Sequence, residues 1–146
     1  MKCKEIMKTD IECVSPESSI QNAAARMRDG NVGFLPVCDE RMHVVGTVTD
    51  RDIAVRAVAE GLAASTPVQT LMTGRVVCCD PDDDLDHARE LMAMHHKSRI
   101  VCVNGNGRLE GVISLSDIAQ LDESTAIDTL RHVASREARG DSAYRI

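Results

Sequence analysis

The chain reads as an α/β (α+β) protein made of two tandem β-α-β-β-α units, and three observations carry that reading. The first is self-similarity. A shift of 65 residues lays Gly46 on Gly111, Met7 on Met72, Cys13 on Cys78, Pro16 on Pro81, Ala23 on Ala88, Met27 on Met92 and Ile53 on Ile118, without a gap. The second is alternation, since each copy interleaves short β-branched runs with apolar patterns of helical spacing. The third is a phrase said twice, Gly46-Thr47-Val48-Thr49-Asp50-Arg51-Asp52 and Gly111-Val112-Ile113-Ser114-Leu115-Ser116-Asp117. In both, a glycine sits in a β-branched run, followed by a hydroxyl residue, two further positions and an aspartate. The period is longer than a solenoid repeat, so each copy is a small α/β unit. The repeat divides the chain into 1–62, 63–122 and a C-terminal helix with a tail, 123–146.

Copy one opens with a short helical lead-in over 3–7, then a strand over 11–14 that Pro16 stops. Ser18 with Gln21 forms a capping box, and Ile20, Ala23, Ala24 and Met27 share one helical face that Gly30 closes. Strands follow over 33–37 and 44–48, with a polar turn between them. A last helix runs from Arg51 to about Glu60, closed by Gly61.

Copy two begins after Ser65-Thr66-Pro67, where threonine caps and proline takes the first helical position. Residues 76–79 repeat the first strand. Asp83 and Asp86 make the acidic capping box, and Leu85, Ala88, Leu91 and Met92 repeat the apolar face. Strands over 100–103 and 109–113 flank Asn104-Gly105-Asn106-Gly107, a hairpin turn. Beyond Asp117 the helix continues, with a break, from Thr125 to Ala138, and the tail from Gly140 frays. Ile127, Leu130, Val133 and Ala134 lie at helical spacing and read as core or dimer contact. A strand–helix–strand crossover makes parallel neighbours, and the hairpin adds an antiparallel strand. Half-size units leave a sheet face uncovered, so the copies are expected to pack together, with paired sites in the crevice between them.

Composition narrows the function classes. The chain has one phenylalanine, one tyrosine, no tryptophan and a net charge of −6. Base stacking and a basic footprint are both missing, which argues against nucleic acid. One small phosphate ligand needs only a local positive site. No apolar run reaches the length of a membrane span and no secretory pattern follows Met1-Lys2-Cys3-Lys4, so the expected location is cytoplasmic. Six cysteines without a secretory context are chiefly small buried hydrophobes. Cys13 and Cys38 stand apart because the strand order makes them neighbours, within reach of a disulfide if the thiols are oxidised.

Each repeated tetrad places a hydroxyl and a carboxylate beside backbone N–H groups where a strand becomes a helix. That suits a phosphate on the amides and a sugar diol on the carboxylate. The same residues are also plain N-terminal caps, worth about 1 kcal/mol each. Occurrence in both copies, each after a glycine-bearing strand, favours a ligand role. Other signals are weaker. Gly105-Asn106-Gly107-Arg108-Leu109-Glu110-Gly111 is one residue too long for a dinucleotide loop and sits in a hairpin. His95–His96 and Cys78–Cys79 are adjacent pairs whose side chains diverge, so no metal is expected. Cys78 with His96 lacks an orienting group and an oxyanion donor, so enzyme activity is not expected either. The aspartates from Asp80 to Asp86 complement a helix dipole.

At this point the pattern resembles a CBS-domain pair, or Bateman module, over about residues 2–120. The family's Gly-apolar-x-Thr/Ser-x-x-Asp/Asn signature matches Gly46, Thr49 and Asp52, and again Gly111, Ser114 and Asp117. The resemblance to stand-alone bacterial two-CBS proteins implies a non-enzymatic regulatory module with no cofactor, binding AMP, ADP or ATP between the two motifs. By that resemblance Asp52 and Asp117 hold ribose, and Thr49 and Ser114 meet phosphate. The base lies near Ile11 and Phe34 in one site and near Val76 and Ile100 in the other. Arg51, Lys97 and Arg99 meet the phosphate tail, with Ser116 standing where copy one has Arg51. Homodimerisation is implied too, without naming a downstream partner. Relatives that bind S-adenosylmethionine or other nucleotides leave the ligand open, including NADH. A dimerising interaction module with empty clefts is the alternative.

Overall fold

The computed structural model describes residues 1–121 and 123–140. Its elements run α1 (Ile20–Gly30), β1 (Phe34–Cys38), β2 (Val44–Thr49), α2 (Asp50–Asp52), β3 (Cys78–Cys79), α3 (Leu85–His95), β4 (Arg99–Val103), β5 (Leu109–Ser114), α4 (Leu115–Ala119) and α5 (Glu123–Gly140). Short 3-10 turns at Cys3–Glu5 and Val68–Thr70 form the two lead-ins, and a π-helical stretch, Ile53–Val58, follows α2. The fraying expected beyond Gly140 falls outside the described residues.

The chain forms two compact units, and they do not follow the repeat boundaries. Unit 1 comprises Met1–Thr9, Val77–Asn104 and the described residues from Glu110 to Gly140; unit 2 comprises Asp10–Val76 and Gly105–Leu109. Each lead-in therefore packs with the other copy's strands and helix, although in sequence it opens its own copy. Tandem similarity fixes the order of segments but not which of them share a core. The backbone shows the exchange directly. In unit 1 the Cys3 N–H donates to the Asp83 carbonyl and the Leu85 N–H to the Met1 carbonyl, at 2.9 and 2.8 Å. In unit 2 the matched bonds run from Val68 N to Ser18 O and from Ile20 N to Thr66 O, at 2.7 and 2.9 Å.

Unit 2 contains the β1–β2 hairpin, with Phe34 opposite Thr49 and Leu35 opposite Val48 in antiparallel register. The strand expected over 11–14 shrinks to one parallel bridge between Val14 and Val37. Its core gathers Ile20, Ala23 and Met27 of α1 with Leu35, Val37, Val48, Val68 and Leu71. Unit 1 contains the three-stranded sheet β3-β4-β5, with Cys78 and Cys79 parallel to Val101 and Cys102. There Leu85, Ala88 and Met92 of α3 pack with Cys3, Cys79, Ile100, Cys102, Ile113 and Ile118.

Several local assignments shift by one residue. The caps of α1 and α3 are Ser19, which accepts from Asn22 N, and Asp84, which accepts from Asp86 N. Ser18 and Asp83 instead accept from the Ser15 and Asp80 N–H groups, tightening the preceding turns. The left-handed residue that ends α1 is Asn31 (φ 50°) and its counterpart after α3 is His96 (φ 53°), so Gly30 stays helical. Pro67 is the cap of its 3-10 turn rather than its first residue, and the Thr66 hydroxyl donates to the Ala63 carbonyl. The expected helix from Arg51 begins at Asp50 and widens into π geometry, as in the Ala59 N to Ala54 O bond.

The signature glycines have a packing reason. A Cβ on Gly111 would lie 2.7 Å from Met7 Sδ and 2.9 Å from the Lys8 carbonyl oxygen. On Gly46 it would meet Met72 Sδ at 2.7 Å and the Thr73 carbonyl at 2.9 Å. Only a residue without a side chain lets the lead-in backbone pair with the strand. Lys8 exchanges both bonds with Val112, and Thr73 does the same with Thr47.

Candidate functional site

The two tetrads fold alike. In unit 2 Thr49 caps α2: its Oγ1 accepts from Asp52 N at 3.1 Å, while Asp52 Oδ2 accepts from Thr49 N at 3.0 Å. In unit 1 Ser114 Oγ accepts from Asp117 N at 3.1 Å, and Asp117 Oδ2 accepts from Ser114 N at 2.9 Å. Both are reciprocal capping boxes, so the tetrads do serve their helix starts. The amides at Asp52 and Asp117 are thereby occupied. The expected phosphate seat on those amides is thus already taken by the caps.

Each carboxylate spends one oxygen on the cap and turns the other to a cation. Asp117 Oδ1 lies 3.3 Å from Lys8 Nζ, and Asp52 Oδ1 lies 3.8 Å from Arg56 Nε. The aspartate side chains are 11% and 15% exposed, in the same order. Burial pushes the Asp117 carboxyl up, but the Ser114 N–H and hydroxyl and then Lys8 outweigh it and hold the group below its ordinary value. A second hydroxyl adjoins this carboxylate's cap, since Ser114 Oγ and Ser116 Oγ lie 2.8 Å apart.

Beside Ser114, unit 1 opens into a hollow of about 700 Å³. Hydroxyl residues Ser98, Ser114 and Ser116 and the cationic Arg99 line part of it, and Ile127 and Leu130 of α5 supply apolar wall. That mixture, a few convergent polar groups among apolar ones, is the usual make-up of a small-molecule site. Of the two expected roles for these α5 residues, core and dimer contact, the structure sets aside the first for Ile127, Leu130 and Ala134. Ile127 and Leu130 are about half exposed and face the hollow, Ala134 is exposed, and the buried residue nearby is Thr129.

A family model described as CBS domain matches residues 3–58 and again 68–124. The chain belongs to the CBS domain family. It carries two such domains, a CBS pair. The chain is 37% identical over 133 residues to the CBS domain-containing protein YhcV of Bacillus subtilis, covering 90% of this chain and 94% of that protein. Among solved structures it resembles Hypoxic Response Protein I with two coordinated zinc ions, at TM-score 0.76 and 27% identity, over 84% of this chain and 99% of that one. It also resembles the CBS domain pair of protein MJ0100 in complex with 5′-methylthioadenosine and S-adenosyl-L-methionine, at TM-score 0.75 and 27% identity, over 83% and 98%.

Within this CBS pair, the structure brings Arg99 and Ser114 together in the hollow, with Asp117 joined to them through Ser114. Lys97, half-buried, follows α3 in the same unit. Ile100 does not line the hollow: β4 turns its side chain into the core, where it is fully buried. Val76 is the last residue of its segment in unit 2, so it and Ile100 do not share a unit. Ile11, Phe34, Thr49, Arg51 and Asp52 all belong to unit 2, with Ile11 and Phe34 half-buried and Arg51 exposed. A smaller hollow of about 390 Å³ in that unit is lined by Ser15, Glu17, Asp39 and Arg41 among others, away from the tetrad.

Cys13 and Cys38 are free thiols in hydrogen-bonding contact, and burial followed by the Cys13 neighbour pushes the Cys38 thiol up to about 12. Among the described residues no three His, Cys, Asp or Glu side chains are placed to hold a metal ion. Lys8 and Arg56 are not among the site residues that the sequence predicts. Arg56 stands four residues after Asp52, a spacing that signals a helical ion pair. Lys8 carries no local signal, because only the lead-in exchange brings it to Asp117.

Proposed function

We propose that this CBS pair is a non-enzymatic sensor that binds an adenosine ligand of the AMP, ADP or ATP class. One observation carries the reading: a nearly buried carboxylate, Asp117, offers one oxygen to an exchangeable cation beside the Ser114 and Arg99 hollow. A ribose diol can donate to that oxygen, Ser114 and Ser116 offer hydroxyls, and Arg99 offers charge to a phosphate. Asp52 with Thr49 is the matching arrangement in unit 2. The methylthioadenosine and S-adenosylmethionine bound by the MJ0100 pair support an adenosine-type ligand. Signalling requires the ligand to favour one arrangement of the protein over another.

A thermal-unfolding panel with AMP, ADP, ATP, S-adenosylmethionine and NADH tests the reading. Ligand at a hundred times its dissociation constant should stabilise the fold by about 2.7 kcal/mol. Asp117→Ala should abolish the response of the unit-1 site and Asp52→Ala that of the unit-2 site. Millimolar ligand without any shift would favour a dimerising interaction module instead. Exposed Val55, Val58 and Met94 support self-association, which sedimentation would read directly. Among the described residues no helix is long and apolar enough to cross a membrane.

A further inference from the structure

Copy-to-copy comparison exposes a substitution between the two carboxylate sites. The lead-in position held by Lys8 in unit 1 is held by Thr73 in unit 2, since Lys8 pairs with Val112 as Thr73 pairs with Thr47. The helix position of Arg56 in copy one is Leu121 in copy two. Each site thus keeps one cation on its aspartate but draws it from a different element. The two cations are not held alike. Arg56 also donates from Nη1 to the Leu71 carbonyl at 3.3 Å, which ties it to unit 2 backbone. Lys8 reaches Asp117 from the lead-in with a side chain 70% exposed. A lysine is a compact charge on a flexible four-carbon stem, suited to changing partners, whereas a guanidinium held at two points is not.

We infer that Lys8 is the residue that makes the unit-1 site select a phosphorylated ligand. When a ribose diol takes the Asp117 oxygen that Lys8 now holds, the ammonium passes to the ligand's phosphate. Both charges then stay partnered, and a nucleoside without phosphate offers the displaced lysine nothing. In unit 2 Arg56 is also bonded to the Leu71 carbonyl and Thr73 carries no charge, so this lead-in exchange belongs to unit 1 alone. This inference rests on the nucleotide reading above.

Calorimetric titration of the full chain with AMP and with adenosine tests it. Wild type should prefer AMP over adenosine at one site. Lys8→Thr, which installs the residue of the other copy, should weaken AMP at that site about tenfold while adenosine changes less than about twofold. Lys8→Arg should retain most of the AMP preference. The AMP affinity of wild type should fall with added salt more steeply than that of Lys8→Thr. If AMP and adenosine weaken together in Lys8→Thr, Lys8 merely holds Asp117 and the inference is overturned. It is overturned equally if neither changes. Wild type that binds neither compound defeats the nucleotide reading itself, a result visible before any variant is made.

Discussion

At the scale of the residue, Asp117 concentrates the chemistry of unit 1, and its protonation is linked to folding. The carboxyl is held below its ordinary value, because the Ser114 donors and Lys8 outweigh burial. A carboxyl depressed in the folded state adds stability above its unfolded value, near pH 4, and loses it as pH falls through the folded value. Asp117→Asn keeps an acceptor for the cap and removes the charge, so it isolates the ionic part. The variant should be less stable than wild type by about 1–2 kcal/mol at pH 7. In urea titrations at successive pH values, that difference should stay constant down to about pH 5 and shrink below it. A gap that persisted unchanged at low pH would mean that the charge is not what holds the site. The residue types of this site were legible in the sequence, because hydroxyl and carboxylate recur at one spacing in both copies. Lys8 was not, because nothing local joins it to a carboxylate more than a hundred positions away.

At the scale of the element, the repeat gives the two cores an internal control. Cys3, Cys79 and Cys102 meet in unit 1, with Cys79 Sγ 3.8 Å from Cys3 Sγ and 3.6 Å from Cys102 Sγ. Their counterparts at the 65-residue shift are Val68, Val14 and Val37, all buried in unit 2. Burial, reinforced by Cys79, pushes the Cys3 thiol up to about 12, so this is an inert set rather than a reactive one. The thiols therefore act as small hydrophobes in positions that valine fills elsewhere in the same chain. The triple variant Cys3→Val, Cys79→Val, Cys102→Val should unfold within about 1.5 kcal/mol of wild type, read from the urea midpoint. Loss of the fold would show that the thiols do more than pack. This equivalence was open to the sequence reading, since the shift aligns the positions. The cap residues were not: Ser18 and Ser19, or Asp83 and Asp84, are chemically interchangeable neighbours, and only the turn before each helix decides between them. The strand over 11–14 also failed to extend. Its pattern was right, but one backbone bridge is all that reaches β1.

For the whole molecule, the repeat was fully legible and the partition into units was not, because similarity between segments carries no information about which segments touch. The exchanged lead-ins make a sharp prediction. Removing residues 1–9 takes Cys3 from the core of unit 1 together with Ile6 and Met7, which pack against it. It also deletes the Lys8–Val112 bridge and the Cys3 and Lys4 bonds to the Asp83 and Pro81 carbonyls. Had the units followed the repeats, the damage would fall on the hairpin of copy one. The exchanged arrangement places it on copy two instead. Amide hydrogen exchange on the chain lacking residues 1–9 separates the alternatives, since local opening is read segment by segment. Amides of β4 and β5, at Ile100, Val101 and Ile113, should exchange at least tenfold faster than in wild type, while those of β1 and β2, at Leu35 and Val48, should change far less. Truncation of the second lead-in, by contrast, would strike β1 and β2 through Val68, Leu71 and Met72. Protection lost first in the first-copy hairpin after removal of 1–9 would refute the exchange. It would also strip Lys8 of the only route by which it reaches Asp117, so the selectivity inferred for unit 1 depends on the same exchanged segment.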